Sequence, residues 1–599
     1  MCGFIGSVAY SNSDFGKLKE CNDLILCRGP DEYRELNVSS KELFGLSNFY
    51  LQFIFNRLSI IDLSEKASQP MVSKEYKTIL LFNGEIYNHR ELRKELEEEG
   101  EKFHSNHSDS EVVLIGISKH GPKYVNKLNG QFAISFIDIL KSKAYLFRDR
   151  LGQKPLFYNL ENNELKFSSN LISLARLSED KKLDEKQVIN YLNLGVVPSP
   201  FTIFKKINKV EPGTFVEIKF NEAGLKYEVN NYWKIEDKFS NKKFNLEEFY
   251  NIFSDSVISR MESDVEIASF LSGGIDSTAI IKMLVQNEYD VNSFSVGYGQ
   301  DKYDESHWFN QVSEKYKLNQ STQLLNVNEL DQDVDDALES FDEPYSDPSV
   351  VPSYTLSKLI SKKYKVAISG DGGDELLGGY KRIGLTLSRK KYLNNLKYLN
   401  YIYPKFLGTG NKFLSNASNF NESYESYFED KNLLKLLGEP NPERRFNDFI
   451  PEIENDYKKA LITDYKFFLS EMMMLKVDRT SMANSLEVRS PFVDHRLIEY
   501  ILGTTYEYFD INNTKKPMKN YLSSDFDNKF LERKKMGFVF NMEDWIYNNI
   551  GKIEYVIKNG KIIYNMNKNI LNKLSINKSR INSHRIWKLY ILEKYLDRV

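Results

Sequence analysis

Residues 265–285 read VEIASFLSGGIDSTAIIKMLV, and this stretch restricts the fold more than any other. An apolar run, a double-glycine turn and a second apolar run describe a buried strand that turns tightly into a helix. Strands of this kind belong to parallel α/β sheets, whose faces are both covered. The order recurs at YKVAISGDGGDELLGGY, residues 364–380, and VNSFSVGY, residues 291–298, supplies a further buried strand between the two. The C-terminal half is therefore expected to be a parallel α/β domain.

The two glycine turns differ in what they carry. In SGGIDST, residues 272–278, Gly273 and Gly274 let the backbone amides face an anion at the positive end of a helix. Ser272, Ser277 and Thr278 offer hydroxyls to phosphate oxygens. Asp276 is out of place beside phosphate unless a divalent cation lies between them. There is no GxxxxGK[ST], so this is not the lysine-bearing phosphate loop. In SGDGGDELLGGY, residues 369–380, Asp371, Asp374 and Glu375 are crowded among glycines, and carboxylates this dense repel one another unless they share a cation. Two such loops at neighbouring strand ends describe a nucleotide–metal site.

Up to about residue 170 the texture is different. CGFIGSVAY, TILLFNGEIYN, QFAISFIDI and KAYLFRDR are short strand-like runs, and RELRKELEEEG is a helix stopped by Gly100. The polar, aperiodic stretch 221–243 is expected as a linker between a domain at 2–220 and one at 244–599. A chain of 599 residues is too long for one ordinary core, which agrees with two domains. A net charge of −3 argues against nucleic-acid and anionic-membrane partners, and no apolar run spans a bilayer. No secretory signal opens the chain, so a cytoplasmic protein is expected. With three cysteines and no CxxC pair, neither a disulfide framework nor a structural zinc site is expected, and His104 and His107 are read as ordinary loop histidines. The segment 385–450 is helical, aromatic and lysine-rich with no readable chemistry, and RIWKLYILEKYLDRV fits an amphipathic closing helix.

Cys2 poses a separate question. It is either a small apolar residue at the start of a buried strand or, once Met1 is removed, a nucleophile whose own α-amine is its base. A thiol of pKa about 8.5 beside an amine of about 7.7–8.0 makes that proton transfer feasible near neutrality.

Taken together, SGGIDST resembles the pyrophosphate loop of N-type ATP pyrophosphatases, and with SGDGGDELLGGY it resembles glutamine-dependent asparagine synthetases. RTSMANSLEVRSPFVDHRL (479–497) and RKKMGF (533–538) match the same family, as do CGFIG, CRGPDE, FNRLSIIDL, FNGEIYNH, SDSE and RDRLGQKPLFY in the family's order. The resemblance covers nearly the whole chain. It implies an N-terminal class II glutamine amidotransferase of the Ntn-hydrolase αββα type, joined to an ATP-pyrophosphatase-like parallel α/β domain with helical additions.

It also implies roles. Cys2 would attack the glutamine side-chain amide, and the Asn83 side chain and Gly84 amide would hold the oxyanion. Arg57, Leu58, Ser59, Ile60, Ile61, Glu85 and Asp109 would bind glutamine, Arg57 its α-carboxylate and Asp109 its α-ammonium. In the second domain Leu271, Ser272, Gly273, Gly274, Asp276, Ser277, Val296, Ser369 and Gly370 would bind ATP, with Asp276 and Asp374 holding Mg2+. Lys535, or its neighbour Lys534, would be the catalytic lysine. Asp371 stands where several family members have Glu and is tied to forming the acyl-adenylate. Asn170 stands where the family often shows Glu.

The expected reaction amidates aspartate at the expense of glutamine and ATP. The rival keeps the chemistry but takes another small carboxylate, such as a uronic acid of a surface polysaccharide. The acceptor pocket is expected near DEPYSDPSVVPSY, residues 342–354, where Asp342, Glu343 and Asp347 suit an ammonium and Tyr345 and Tyr354 suit a sugar ring. A tRNA-modifying enzyme would need a basic face, and a non-catalytic sensor would be expected to lose Cys2 or Asp276. The resemblance admits a homodimer.

Overall fold

A computed structural model describes residues 2–599 apart from 12–13, 47–48, 222–223, 241, 298–303, 325–330, 390–418, 440–445, 506–513, 534–540 and 577. Two six-stranded antiparallel sheets form the N-terminal half. The first contains β1 (Cys2–Ala9), β2 (Glu32–Ser39), β3 (Tyr50–Arg57), β8 (Phe157–Glu161), β9 (Glu164–Ser168) and β10 (Ile207–Lys209), in the order β10-β8-β9-β1-β3-β2. The second contains β4 (Met71–Ser73), β5 (Thr78–Ile86), β6 (Gly130–Asp138), β7 (Lys143–Arg148), β11 (Thr214–Asn221) and β12 (Gly224–Asn231), in the order β12-β11-β7-β6-β5-β4.

Strand parity builds four layers from these runs. Phe4 and Val8 of β1, Phe53 and Phe55 of β3, and Ile79 and Leu81 of β5 meet between the sheets. The alternate residues point outward: Ile5 and Ile54 against Leu18 and Ile25, and Leu80 and Phe82 against the helices His89–Glu98 and Asp109–His120. Leu92 and Leu96, at the expected i,i+4 spacing, face this core, and Gly100 takes φ +95° just beyond the helix. The expected αββα sandwich is the fold observed.

The C-terminal half holds one five-stranded, all-parallel sheet in the order β15-β14-β13-β16-β17: β13 (Ile267–Phe270), β14 (Asn292–Gly297), β15 (Asn319–Leu324), β16 (Val366–Ile368) and β17 (Glu487–Arg489). After β13 the chain builds outward to β14 and β15, then returns to place β16 on the other flank of β13. The strand order therefore reverses between β13 and β16, and ligands of doubly wound sheets bind at such a point. The two glycine turns are the segments that leave these two strands.

Two expectations change in detail. The stretch 221–243 does not begin as a linker, because β12 pairs with β11 from Thr214↔Asn231 to Asn221↔Gly224 and completes the second sheet. It is an edge strand with most of its side chains in solvent, so it lacks the apolar alternation that marks a half-buried strand. The closing helix, Arg580–Asp597, is buried on most of its circumference rather than on one stripe. Trp587, Tyr590 and Trp545 cluster there, and Tyr191 of the N-terminal half donates its hydroxyl to the Lys588 carbonyl. From the aromatic segment Tyr424 and Phe428 reach Arg382, whose guanidinium also lies over Tyr380 and Phe468 and pairs with Asp464 at 2.9 Å.

The seam between the halves is built from buried charge. Arg28 grips Asp478 with two parallel bonds of 2.9 and 3.0 Å, and Lys154 approaches the same carboxylate at 3.5 Å. Arg479 binds Asp342, Lys209 binds Glu343, and Arg489 binds Glu85 at 3.1 Å and Glu487 at 2.6 Å. Charges this enclosed persist only when paired and hydrogen-bonded, so each fixes its partner's position.

Candidate active sites

Parity also assembles the first site. Cys2 shares the inward face of β1 with Phe4, Arg57 that of β3 with Phe55, and Asn83 and Glu85 that of β5 with Leu81. In register Cys2 lies directly opposite Arg57. The Cys2 N–H donates to Asn83 Oδ1 at 3.0 Å, which leaves Asn83 Nδ2 as a buried donor with no partner among the described residues. The Gly84 amide is placed by alternation: Phe82 and Ile86, two residues to either side, donate on the flank of β5 away from β6, beyond the reach of β4, to Gln69 and Asp109. Gly84 itself has no room for a side chain, since a Cβ there would come within 2.1 Å of the Gln131 carbonyl oxygen.

The electrostatics set a thiol among enclosed carboxyls. Burial pushes the Cys2 thiol up, while the N-terminal amine, a main-chain hydrogen bond at Leu58 and Arg57 pull it back. Burial also raises Asp109, against the pull of His89 and the Ile86 amide. Glu85 is raised well above the carboxylate range by burial and then by Asp109, with Arg489 opposing. Its Oε1 has no hydrogen-bond partner among the described residues. A cationic group entering beside Glu85 and Asp109 would therefore be strongly favoured.

Arg57 is at the site, but its guanidinium faces the following loop. It donates to the carbonyls of Ser64 at 2.9 Å, Ile61 at 3.4 Å and Asp62, and meets Glu32 at 3.5 Å. This loop is held from both halves. Leu58, Ile60 and Ile61 pack with Val366 and Met482, Ser59 N–H donates to Asp31, and the Asp264 amide donates to the Ile60 carbonyl. His107 bonds Asp264 at 2.7 Å, which gives that histidine a place in the seam.

The second site lies at the reversal point. Gly274 precedes the helix Ile275–Gln286, and its N–H donates to Ser272 Oγ at 3.1 Å. Ser272 and Ser277 hydroxyls lie 3.1 Å apart, so three anion-seeking groups gather at one helix start. The SGDGGDE turn is pressed against it: a Cβ on Gly370 would meet the Ser277 amide at 2.9 Å, and one on Gly373 would meet Asp276 Cγ at 2.5 Å. These glycines allow Asp276 and Asp374 to converge. Asp371 accepts from Ser369 Oγ at 2.9 Å, and Ser369 N–H donates to the Arg489 carbonyl at 2.9 Å. Leu271 and Val296 sit side by side at the carboxyl ends of adjacent strands, linked by the Leu271 N–H to the Phe294 carbonyl and Ser295 Oγ to the Leu271 carbonyl.

Three residues join this region that sequence reading passed over. Arg533 donates to the Gly273 carbonyl and stacks on Trp308 and Phe530 at 4.9 Å each. Lys515 lies between Asp276 and Asp374, and Arg489 touches both halves. RKKMGF marked Arg533 as a neighbour, whereas Lys515 carried no local signal. Lys534 and Lys535 lie outside the described residues. Asn170 proves to be a helix cap, its Oδ1 accepting from Ser173 N–H at 2.9 Å. In the stretch 342–354, Asp342 and Glu343 are committed to Arg479 and Lys209 in the seam, Asp347 accepts from the Ser349 amide, and Tyr345 is buried against Phe341. Asp342 and Tyr354 both line a cavity of about 280 Å3 between the halves, together with Arg28, Asn170 and Arg479.

Comparison with known proteins covers the regions that hold these two sites. The asparagine synthase family model matches residues 248–558, and a glutamine amidotransferase domain model matches residues 1–233. Asparagine synthetase [glutamine-hydrolyzing] 1 of Bacillus subtilis is 30% identical over 590 residues, covering 92% of this chain and 89% of that protein. A putative asparagine synthetase [glutamine-hydrolyzing] 2 of Methanocaldococcus jannaschii is 29% identical, covering 79% and 92%. The thiol site and the two-loop site thus sit in the two matched regions, and the chain belongs to the asparagine synthase family, with a glutamine amidotransferase domain ahead of its synthase domain.

Proposed function

We propose that the protein makes asparagine from aspartate, with glutamine as nitrogen donor and ATP as activator. The observation that carries the reading is the pairing, in one chain, of Cys2, bonded through its main-chain nitrogen to Asn83, whose buried Nδ2 has no partner among the described residues, with two acid-bearing glycine turns at a sheet reversal point. In the first site the Cys2 thiolate attacks the glutamine carboxamide carbon, ammonia leaves, and water cleaves the thioester to glutamate. Asn83 Nδ2 and the Gly84 amide hold the oxyanion; Asp109 and Glu85 hold the α-ammonium. Arg57 is the proposed partner of the α-carboxylate and must turn from the loop carbonyls to serve it.

In the second site Ser272, Gly273, Gly274 and Ser277 bind the pyrophosphate, with Leu271, Val296, Ser369 and Gly370 around the nucleotide. The acceptor carboxylate attacks the α-phosphorus, pyrophosphate leaves, and ammonia displaces AMP from the acyl-adenylate. Asp276 and Asp374 are chemically suited to Mg2+, which takes one or two carboxylates alongside phosphate oxygens, and their convergence on a single cationic group fits such a pair. The ion, when bound, neutralises phosphate charge. Lys535 is proposed as the catalytic lysine, Asp371 as the acid beside the adenylate, and the cytoplasm as the site of action.

The test is pyrophosphate release with ATP, Mg2+ and ammonium, with and without aspartate, followed by detection of asparagine. Aspartate-stimulated release with asparagine formed is the expected result. Stimulation by a uronic acid and none by aspartate overturns the acceptor while leaving the amidation chemistry.

A further inference from the structure

Lys515 is the one basic group that the structure sets between the two acids of the nucleotide loops among the described residues. Its Nζ lies 2.5 Å from Asp276 Oδ2 and 2.6 Å from Asp374 Oδ1. The three side chains are 11%, 13% and 14% exposed, so the charges are largely shielded from solvent. The surroundings hold the lysine in place. A Cβ on Gly379 would come within 2.0 Å of Asp374 Oδ1 and 2.6 Å of Lys515 Cε, and Lys515 itself takes a left-handed φ of 61° just before the helix Lys516–Leu522.

Two carboxylates brought together by backbone packing need positive charge between them. An ammonium and a hard divalent ion answer the same demand, and they cannot occupy the same point. We propose that Lys515 is a resident counter-cation, filling the divalent-ion position of the synthase site in the nucleotide-free protein and giving it up when metal and nucleotide enter together. The proposal rests on the reading of Asp276 and Asp374 as metal ligands. A bare divalent ion must displace an ammonium whose only ion-pair partners among the described residues are the two carboxylates it would give up. An ion arriving with ATP brings triphosphate oxygens that receive the displaced ammonium. Lys515 would thus make metal binding depend on nucleotide, and keep the loops converged before either arrives. The chemistry recognised is a divalent cation with a nucleoside triphosphate.

The test is Mn2+ binding to the full chain, followed by electron paramagnetic resonance without turnover, with and without a non-hydrolysable ATP analogue. In wild type, Mn2+ should bind weakly alone and much more tightly with the analogue. Lys515→Met should bind Mn2+ alone at least tenfold tighter, and the gain given by the analogue should shrink by a similar factor. Its melting temperature should rise with Mn2+ or Mg2+, while wild type and Lys515→Arg stay unchanged. Should Lys515→Met not fold, Lys515→Gln carries the same comparison. If wild type takes up Mn2+ with the analogue and the folded neutral variant binds Mn2+ alone no tighter than wild type, the proposal is overturned by itself. If neither protein binds Mn2+ even with the analogue, the metal reading fails and the proposal falls with it.

Discussion

Asn83 shows how much a single side chain does at the thiol site. The Cys2 nitrogen donates to Asn83 Oδ1, and Asn83 Nδ2 is left as a buried donor with no partner among the described residues. Losing that donor should cost transition-state stabilisation more than substrate binding. Asn83→Ala is expected to lower kcat for glutamine hydrolysis by about 100- to 1000-fold, the range for removing one oxyanion donor. Cys2→Ala should abolish the hydrolysis outright. In both variants ammonium salts should still support acceptor amidation, measured as pyrophosphate release. Glutamate formation by Cys2→Ala would remove the thiol from the mechanism.

At the scale of elements, the two sites depend on glycines that let backbones touch. Gly84→Ala must part β5 from β6, because the added carbon meets the Gln131 carbonyl and Phe132 Cα. Gly373→Ala must push Asp276 away from the second loop. Each should destabilise the protein by about 1–3 kcal/mol, the usual cost of overpacking. The functional losses should separate: glutamine hydrolysis for Gly84→Ala, ATP-to-AMP turnover for Gly373→Ala, each read beside a melting curve. This contrast also explains what could be read from the chain. Loops that follow an apolar strand announce themselves, and parity along β1, β3 and β5 already brings Cys2, Arg57, Asn83 and Glu85 to one face. Lys515 and Arg489 reach their partners from 239 and 404 residues away, so no local pattern marks them. The edge strand β12 was hidden for another reason, since a strand exposed on both faces has no alternation to display. The closing helix lost its stripe because neighbours cover it nearly all round.

For the whole molecule, the charged seam predicts how the halves respond to acid. Burial pushes the Glu487 carboxyl up, but the N-terminal amine and Arg489 outweigh it and hold the group at about 2, against an ordinary value of 4.5. A depressed carboxyl contributes stability that is complete above its ordinary value and lost as pH falls through the folded one. Wild type should therefore lose this contribution between about pH 4.5 and pH 2. Glu487→Gln should start less stable and lose less over that interval, measured by denaturant unfolding at stepped pH; an identical slope would remove Glu487 from the acid response. The same seam bears on descent. Arg28 binds Asp478 on one side and donates to the Cys2 carbonyl on the other, so a residue of the synthase half helps to seat the strand of the proposed nucleophile. Loss of Asp478 would leave Arg28 buried with its charge unpaired, and loss of Glu343 would do the same to Lys209, whereas Arg489 would keep Glu487 if Glu85 were lost. Two halves joined through such pairs are expected to be inherited as a matched set. Recombination that joins the amidotransferase half of one lineage to the synthase half of another would strand these charges, unless both sides of each pair cross over together.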